Sequence, residues 1–234
     1  MCLKINTLLG IGLEVTPTDF FTQAHLREKG ATGTILRFLY YPPPSTLTAD
    51  PVSPEKGDVR AGAHSDYGSM TMLFRLKGQA GLEILLRNGK TWAPVPVCPP
   101  GTENDPAPPI LLNIGDLLSH WTNGLLRSTV HRVVFHGDKG KENVVVGESD
   151  AEPRYSIAFF CHPVGSTPLT PVPSERVRKF KAENGESVDG DAANGKVMTA
   201  DEHLMSRFVT PFLGVMMATA CHENDADTCL LIQG

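Results

Sequence analysis

The sequence predicts a mainly β fold, a double-sheet jelly roll with α-helices at its N- and C-terminal ends, and three observations carry that expectation. Between Thr34 and Cys161, short runs rich in β-branched and aromatic residues are separated by turn signals, among them Asn88-Gly89, Gly115-Asp116 and Asn123-Gly124. Helical periodicity is confined to residues 1–29 and to stretches after Ser174. A parallel, doubly wound sheet would need helices between its strands, so antiparallel pairing is expected. A chain of 234 residues, 41% hydrophobic and 20% charged, is long enough for one such core.

In chain order, Leu3, Ile5, Leu8, Leu9 and Leu13 recur at helical spacing, and Thr18-Asp19 signals the start of a second helix carrying Phe20, Phe21, Ala24 and Leu26. Thr34 to Tyr41 reads as the first strand. Pro42-Pro43-Pro44 stops it, because successive prolines cannot continue a ladder. Ser45 to Asp58 reads as a loop, and Arg60 to His64, Thr71 to Leu76, Leu82 to Leu86 and Thr91 to Val97 follow as strands, the last two joined in a hairpin. Ile110 to Ile114 enters the Gly115-Asp116 turn, Leu117 to Trp121 follows, and Ser128 to Phe135 and Arg154 to Cys161 complete the strands. Ser174 to Phe180 reads as a short helix, and Thr199-Ala200-Asp201-Glu202 opens a last one through Leu204, Met205 and Phe208. Residues 136–153 and 181–196 are polar and expected to be the most mobile. Three units are expected: a helical segment over 1–33, the jelly roll over 34–164 and an extension over 165–234.

Composition narrows the function. With 21 Lys plus Arg against 26 Asp plus Glu, and the basic residues scattered, no electrostatic footprint for nucleic acid is present. No apolar run approaches the roughly 18 residues that span a bilayer, and the N-terminus lacks the pattern of a signal peptide, so a cytoplasmic location is expected. Cys2, Cys98, Cys161, Cys221 and Cys229 are odd in number and lack paired metal spacing. They read as reduced, half-buried small hydrophobes rather than a disulfide framework.

The chemistry-bearing stretch is Ala63-His64-Ser65-Asp66-Tyr67-Gly68, which sets an imidazole and a carboxylate two residues apart in a run that reads as strand. Side chains two apart on a strand share a face. A second histidine from a distant strand, His131, would complete the two-His-one-carboxylate set that holds non-haem Fe(II) with positions left open. Alone, His-x-Asp is more often a surface pair, as Arg154-Tyr155-Ser156 alone is more often a strand-edge pair. The flanking motifs alter that balance.

Arg60-Ala-Gly-Ala-His64-Ser-Asp66-Tyr-Gly-Ser, Asn113-Ile-Gly-Asp-Leu-Leu, Trp121-Thr-Asn-Gly, Ser128-Thr-Val-His131-Arg-Val and Arg154-Tyr-Ser156 together resemble the Fe(II)/2-oxoglutarate-dependent dioxygenases, in the branch that includes isopenicillin N synthase. The likeness spans Thr34 to Pro163. It implies a cupin-like double-stranded β-helix, with His64, Asp66 and His131 holding Fe(II). It further implies that Arg154 and Ser156 hold the distal carboxylate of 2-oxoglutarate, assisted by Tyr41, the tyrosine before Pro42. The implied activity is oxidation, most often hydroxylation, of a small organic molecule with O2, releasing succinate and CO2, with ascorbate as an auxiliary reductant. Arg132, Trp121 and Asn113 read as structural, a solvated arginine, a core indole and a strand-end amide, His162 as a loop residue or one behind the site, and His120 and His136 as outside the ligand set.

The sequence departs from the family pattern in three places. The family's region ahead of the first helix is not represented, residues 132–153 make a long connection, and Val209 to Gly234 has no family counterpart. Two other readings therefore stand beside the first. One is a jelly roll that binds without catalysing, or an inactive truncated dioxygenase. The other is a metal-dependent hydrolase, which would need a general base, although no Glu stands beside His64 or His131.

Overall fold

Eight short strands separated by turns pair into two antiparallel sheets, seen in a computed structural model that describes residues 1–43, 58–135, 152–184 and 197–208. The strands are β1 (Ile35–Tyr41), β2 (Asp58–His64), β3 (Met70–Arg75), β4 (Leu82–Leu85), β5 (Trp92–Pro94), β6 (Leu111–Ile114), β7 (His131–Phe135) and β8 (Arg154–Cys161). One sheet has the order β1-β8-β3-β6, the other β2-β7-β4-β5, and every pairing is antiparallel. This is the expected jelly roll. In β8 burial alternates: Arg154, Ser156 and Ala158 are buried while Tyr155 and Ile157 are exposed.

The helices are α1 (Cys2–Gly12), α2 (Phe20–Ala24), α3 (Asp116–Trp121), α4 (Glu175–Asn184) and α5, which covers 200–208. The expectation that helices stay at the ends fails at α3, which stands between β6 and β7. There Gly115 takes an extended N-cap conformation, Asp116 sits in the first turn, and Leu117-Leu118-Ser119-His120-Trp121 has no β-branched residue to favour a strand. The mobility expected of residues 136–153 and 181–196 falls mostly outside the described residues, although 181–184 prove to be the last turn of α4.

The densest packing lies where the helices meet one end of the sandwich. Leu13, Val15, Phe21, Leu117, Leu118, Trp121, Val172 and Val177 form one buried cluster. Phe21 meets the Trp121 ring edge-on at 5.4 Å, and the indole Nε1–H donates to the Thr170 carbonyl at 2.8 Å. Burial of a side chain such as Phe21 contributes roughly 1.5–3 kcal/mol. Between the sheets the buried cluster is smaller, Leu82, Val133 and Phe135, so the sandwich interior keeps space for ligands.

Two sequence expectations are corrected here. Cys2 on α1 is disulfide-bonded to Cys161 at the end of β8, a pairing across 159 residues that no local spacing could reveal. Arg132 is not a solvated arginine: its Nε donates to Glu83 at 2.8 Å, and its guanidinium lies 4.1 Å from the Trp92 ring centroid.

Candidate active site

His64 and His131 face each other as the last paired residues of β2 and β7, their ring centroids 4.4 Å apart. Register shifts near Ala61 bend β2 so that its end reaches this position. Asp66 lies two residues beyond β2, so the same-face rule for strands does not place it, contrary to the sequence reasoning. Hydrogen bonds do. The Asp66 carbonyl accepts the Asp116 N–H at 2.7 Å, locking the loop onto the start of α3. Its Oδ2 accepts from Thr71 Oγ1 at 2.6 Å and from Asn113 Nδ2 at 2.8 Å, two side chains that are cross-strand partners on β3 and β6.

Those two bonds commit one carboxylate oxygen and leave Oδ1 to the histidines, 3.9 Å from His64 Nε2 and 3.7 Å from His131 Nε2. The other ring nitrogens are committed as well: His64 Nδ1 lies 2.7 Å from the Gly62 carbonyl and His131 Nδ1 lies 3.0 Å from that of Thr129. A carbonyl only accepts, so each Nδ1 carries the proton and each Nε2 presents a lone pair. Three donor atoms thus converge, and all lie within 4.8 Å of one another. Two neutral nitrogens and one anionic oxygen suit a divalent first-row ion such as Fe(II) and leave further coordination positions open. Asp66 is 6% exposed at its side chain and His64 48%, so access is from the His64 side.

Two cavities meet at this point. The smaller, about 90 Å³, lies between the sheets. Its far end holds Arg154, 3% exposed, with Nη1 3.5 Å from Ser156 Oγ. Tyr41 faces Arg154 across the β1–β8 ladder, its ring centroid 5.1 Å from the guanidinium carbon. Burial lowers the Arg154 pKa from its ordinary value, and Tyr41 opposes the change. A guanidinium nevertheless stays charged. Among the described residues no carboxylate pairs with it, so an anion entering the cavity would satisfy a buried cation that is costly to leave alone.

The larger cavity, about 410 Å³, shares His64, Asp66 and Phe160 with the smaller. Its other walls include Ile35, Tyr67, His162 and, from α5, Leu204 and Phe208. Phe208 meets the Tyr67 ring edge-on at 5.5 Å. Arg207 Nε lies 3.6 Å from Asp116 Oδ2, which also accepts from Ser65 Oγ at 3.0 Å, fastening α5 beside the metal loop. Burial lowers the pKa of His162 in this wall and, behind it, lowers those of His25 and His203 to about 4. The neutral His25 ring donates from Nδ1 to the Phe21 carbonyl at 2.7 Å and accepts from Ser69 Oγ at 2.9 Å.

All six residues singled out in the sequence, Tyr41, His64, Asp66, His131, Arg154 and Ser156, line the smaller cavity. Trp121 is the expected core indole, and His120 packs 5.3 Å from the His203 ring, away from the three ligand candidates. His136 lies outside the described residues. Sequence reasoning missed Thr71, and it read Asn113 as structural although its amide orients Asp66. Their only signal was position, Asn113 at the head of Asn-Ile-Gly-Asp and Thr71 five residues after Asp66.

Comparison with known proteins gives a consistent picture. The family model described as the 2OG-Fe(II) oxygenase superfamily matches residues 32–163, more than half of the chain. A UPF0676 protein of Schizosaccharomyces pombe is 36% identical over 81% of this chain and 51% of its own length. A homoarginine-6-hydroxylase of Glycine max is 28% identical, covering 84% and 51% respectively. Among solved structures, full-length Neurospora crassa T7H in complex with alpha-KG and thymine superposes with a TM-score of 0.62 at 27% identity, over 89% of this chain and 52% of that one. A 2OG-Fe(II) oxygenase family protein of Caulobacter crescentus gives 0.51 at 30% identity, over 82% and 49%. The chain spans about half the length of these relatives.

Proposed function

The chain belongs to the 2OG-Fe(II) oxygenase superfamily, and on that premise we propose that it oxidises a small organic molecule held in the larger cavity, with Fe(II) at His64, Asp66 and His131 and 2-oxoglutarate in the smaller cavity. One observation carries this reading. Three uncommitted donor atoms and a buried cation without a carboxylate partner line the same small space. When bound, the iron supplies the redox chemistry by which O2 takes two electrons from 2-oxoglutarate and two from a substrate C–H bond, one oxygen atom going to succinate and one to the alcohol product, with CO2 released.

The chain's own residues orient and exclude. Thr71 and Asn113 hold the Asp66 carboxylate so that only Oδ1 faces the histidines. Arg154 and Ser156 grip the distal carboxylate of 2-oxoglutarate, with Tyr41 beside them, and Leu39, Leu73, Leu111 and Val133 keep water from its chain. A carboxylate general base for hydrolysis is missing among the described residues lining either cavity, where Asp66 is the sole carboxylate and serves as a ligand candidate. No helix among the described residues is long and apolar enough to cross a membrane. The cytoplasm is the location this reading assigns.

The decisive experiment adds Fe(II) and then 2-oxoglutarate to the purified chain without oxygen and records the difference spectrum. A visible charge-transfer band is expected, followed on aeration by labelled CO2 from 1-labelled 2-oxoglutarate, with ascorbate present. A folded, iron-loaded protein that shows neither would sink the reading in favour of a jelly roll that only binds.

A further inference from the structure

The inner face of β1 runs through both cavities. Leu39 and Tyr41 line the smaller one, and Gly33, Ile35 and Arg37, two residues apart along the same face, line the larger. The strand therefore carries an apolar wall with a tyrosine at one end and a lone cation near the other. Arg37 stands opposite Ala158 of β8, and Arg154 is four residues further along that strand. At about 3.3 Å per residue the two arginine positions are about 13 Å apart along the strands, and Arg37 stands one inward position from Phe160, the level at which Thr71 holds Asp66.

Arg37 is exposed at the cavity, so water solvates its guanidinium when no ligand is present, and what it offers a ligand is a positioned charge. Among the described residues Arg37 has neither a hydrogen bond nor an ion pair. Its single contact of note is with the face of Phe160, whose ring centroid lies 5.6 Å from the guanidinium carbon. Stacking of that kind fixes the plane of the guanidinium while its edge N–H groups remain free. The other charged group on this wall, Asp66, is committed to Thr71, Asn113 and the histidines. The cavity's 410 Å³ falls within the range of about 300–1,000 Å³ usual for small-molecule sites.

We propose that the substrate is an organic anion whose carboxylate, or an equivalent planar oxyanion, is held by Arg37, while its apolar body lies along Ile35, Phe160 and Phe208 toward His64 and Asp66. This deepens the oxygenase reading and rests on it for what happens to the substrate, but the anion site itself is a property of the cavity. Arg37 is then a specificity-determining residue. It fixes which carbon of the substrate faces the metal ligands, because the anion is tethered at one end and the reaction takes place at the other.

The test uses matched probes that differ only in charge: 3-phenylpropionate and 4-phenylbutyrate against their primary amides, titrated calorimetrically into the Fe(II)-loaded chain without oxygen, both with and without saturating 2-oxoglutarate. The acids are expected to bind at least tenfold more tightly than the amides. Arg37→Gln should abolish that preference with 2-oxoglutarate affinity unchanged, and Arg37→Glu should transfer it to 3-phenylpropylamine. Equal binding of acid and amide by wild type, no binding of either acid, or a preference that survives in Arg37→Gln would each overturn the proposal. Acid binding that follows Arg37 in a protein that fails to take up 2-oxoglutarate would uphold the anion site and defeat the oxygenase reading instead.

Discussion

The smaller cavity ends on strand residues, with Arg154, Ser156 and Tyr41 fixed by the β1–β8 ladder, whereas the larger is bounded partly by Leu204 and Phe208 of α5 and by the loop at Tyr67. The first is tight, buried and charged at its end. The second is more than four times as large, largely apolar and open on the His64 side. On the proposed function the contrast is a division of labour: a constant co-substrate would be held by ladder positions that cannot move independently, and a variable substrate would be met by a helix and loops that can. Two of the three proposed metal ligands, His64 and Asp66, belong to both.

The largest effect should come from breaking that shared point. Asp66→Ala removes the only anionic donor, so Fe(II) retention is expected to vanish in equilibrium dialysis. It also leaves Thr71 and Asn113 without an acceptor, so the metal-free protein should lose about 1–3 kcal/mol, read from urea unfolding. Unaltered iron binding would remove Asp66 from the ligand set.

Arg154→Ala acts on the small cavity alone. A desolvated, charge-assisted contact of about 2–5 kcal/mol predicts a loss of one to three decades in 2-oxoglutarate affinity, with Fe(II) affinity nearly unchanged. Equal loss of both would mean that Arg154 supports the fold and does not anchor the anion.

Acid should act on the wall of the large cavity first, since His25 hydrogen-bonds Ser69 next to the lining residue Gly68. Unfolded, His25 takes up a proton near pH 6.5; folded, it does so only near 4. As pH falls through that interval the unfolded state binds a proton that the folded state refuses, so stability falls, by up to about 3 kcal/mol from this group. His25→Gln should make the pH dependence of the urea midpoint between pH 6.5 and 4 shallower, with His203 supplying what remains, and a profile as steep as wild type would assign the acid sensitivity elsewhere.

A gentler change sharpens the comparison. Asn113→Ala removes one of the two bonds to Asp66 Oδ2 and should weaken Fe(II) by about 10–100-fold without abolishing it, since Thr71 still orients the carboxylate. Affinity equal to wild type would show that Thr71 suffices.

Most of the small cavity was legible in the sequence because its residues sit on strands, where spacing translates directly into facing: Arg154 and Ser156 share a side of β8, and Tyr41 ends β1 just before the proline run. Asp66 was found for a reason only half right. The motif named it, but a loop and two hydrogen bonds orient it. The large cavity was hardly legible, since Arg37 gains its meaning from Phe160 across a ladder and Phe208 from a helix distant in sequence. α3 escaped because turn residues and a short leucine run mark hairpins and helix starts alike, and the Cys2–Cys161 bond because it joins residues 159 positions apart in sequence.

The turn at Gly115 lies so close to the loop at Asp66 that a β-carbon at 115 would overlap the Gly68 carbonyl oxygen and come within 2.9 Å of that of Asp66. Gly68 in turn faces the Cys161 carbonyl oxygen, which a β-carbon on it would approach to 2.6 Å. Three backbone segments therefore nest without side chains between them, like gear teeth cut to zero clearance. For a lineage diverging by random substitution, these two glycines are a one-way gate: the outer walls of the large cavity can be rewritten almost freely, but a single methyl group at either position would displace the aspartate before any substrate was met.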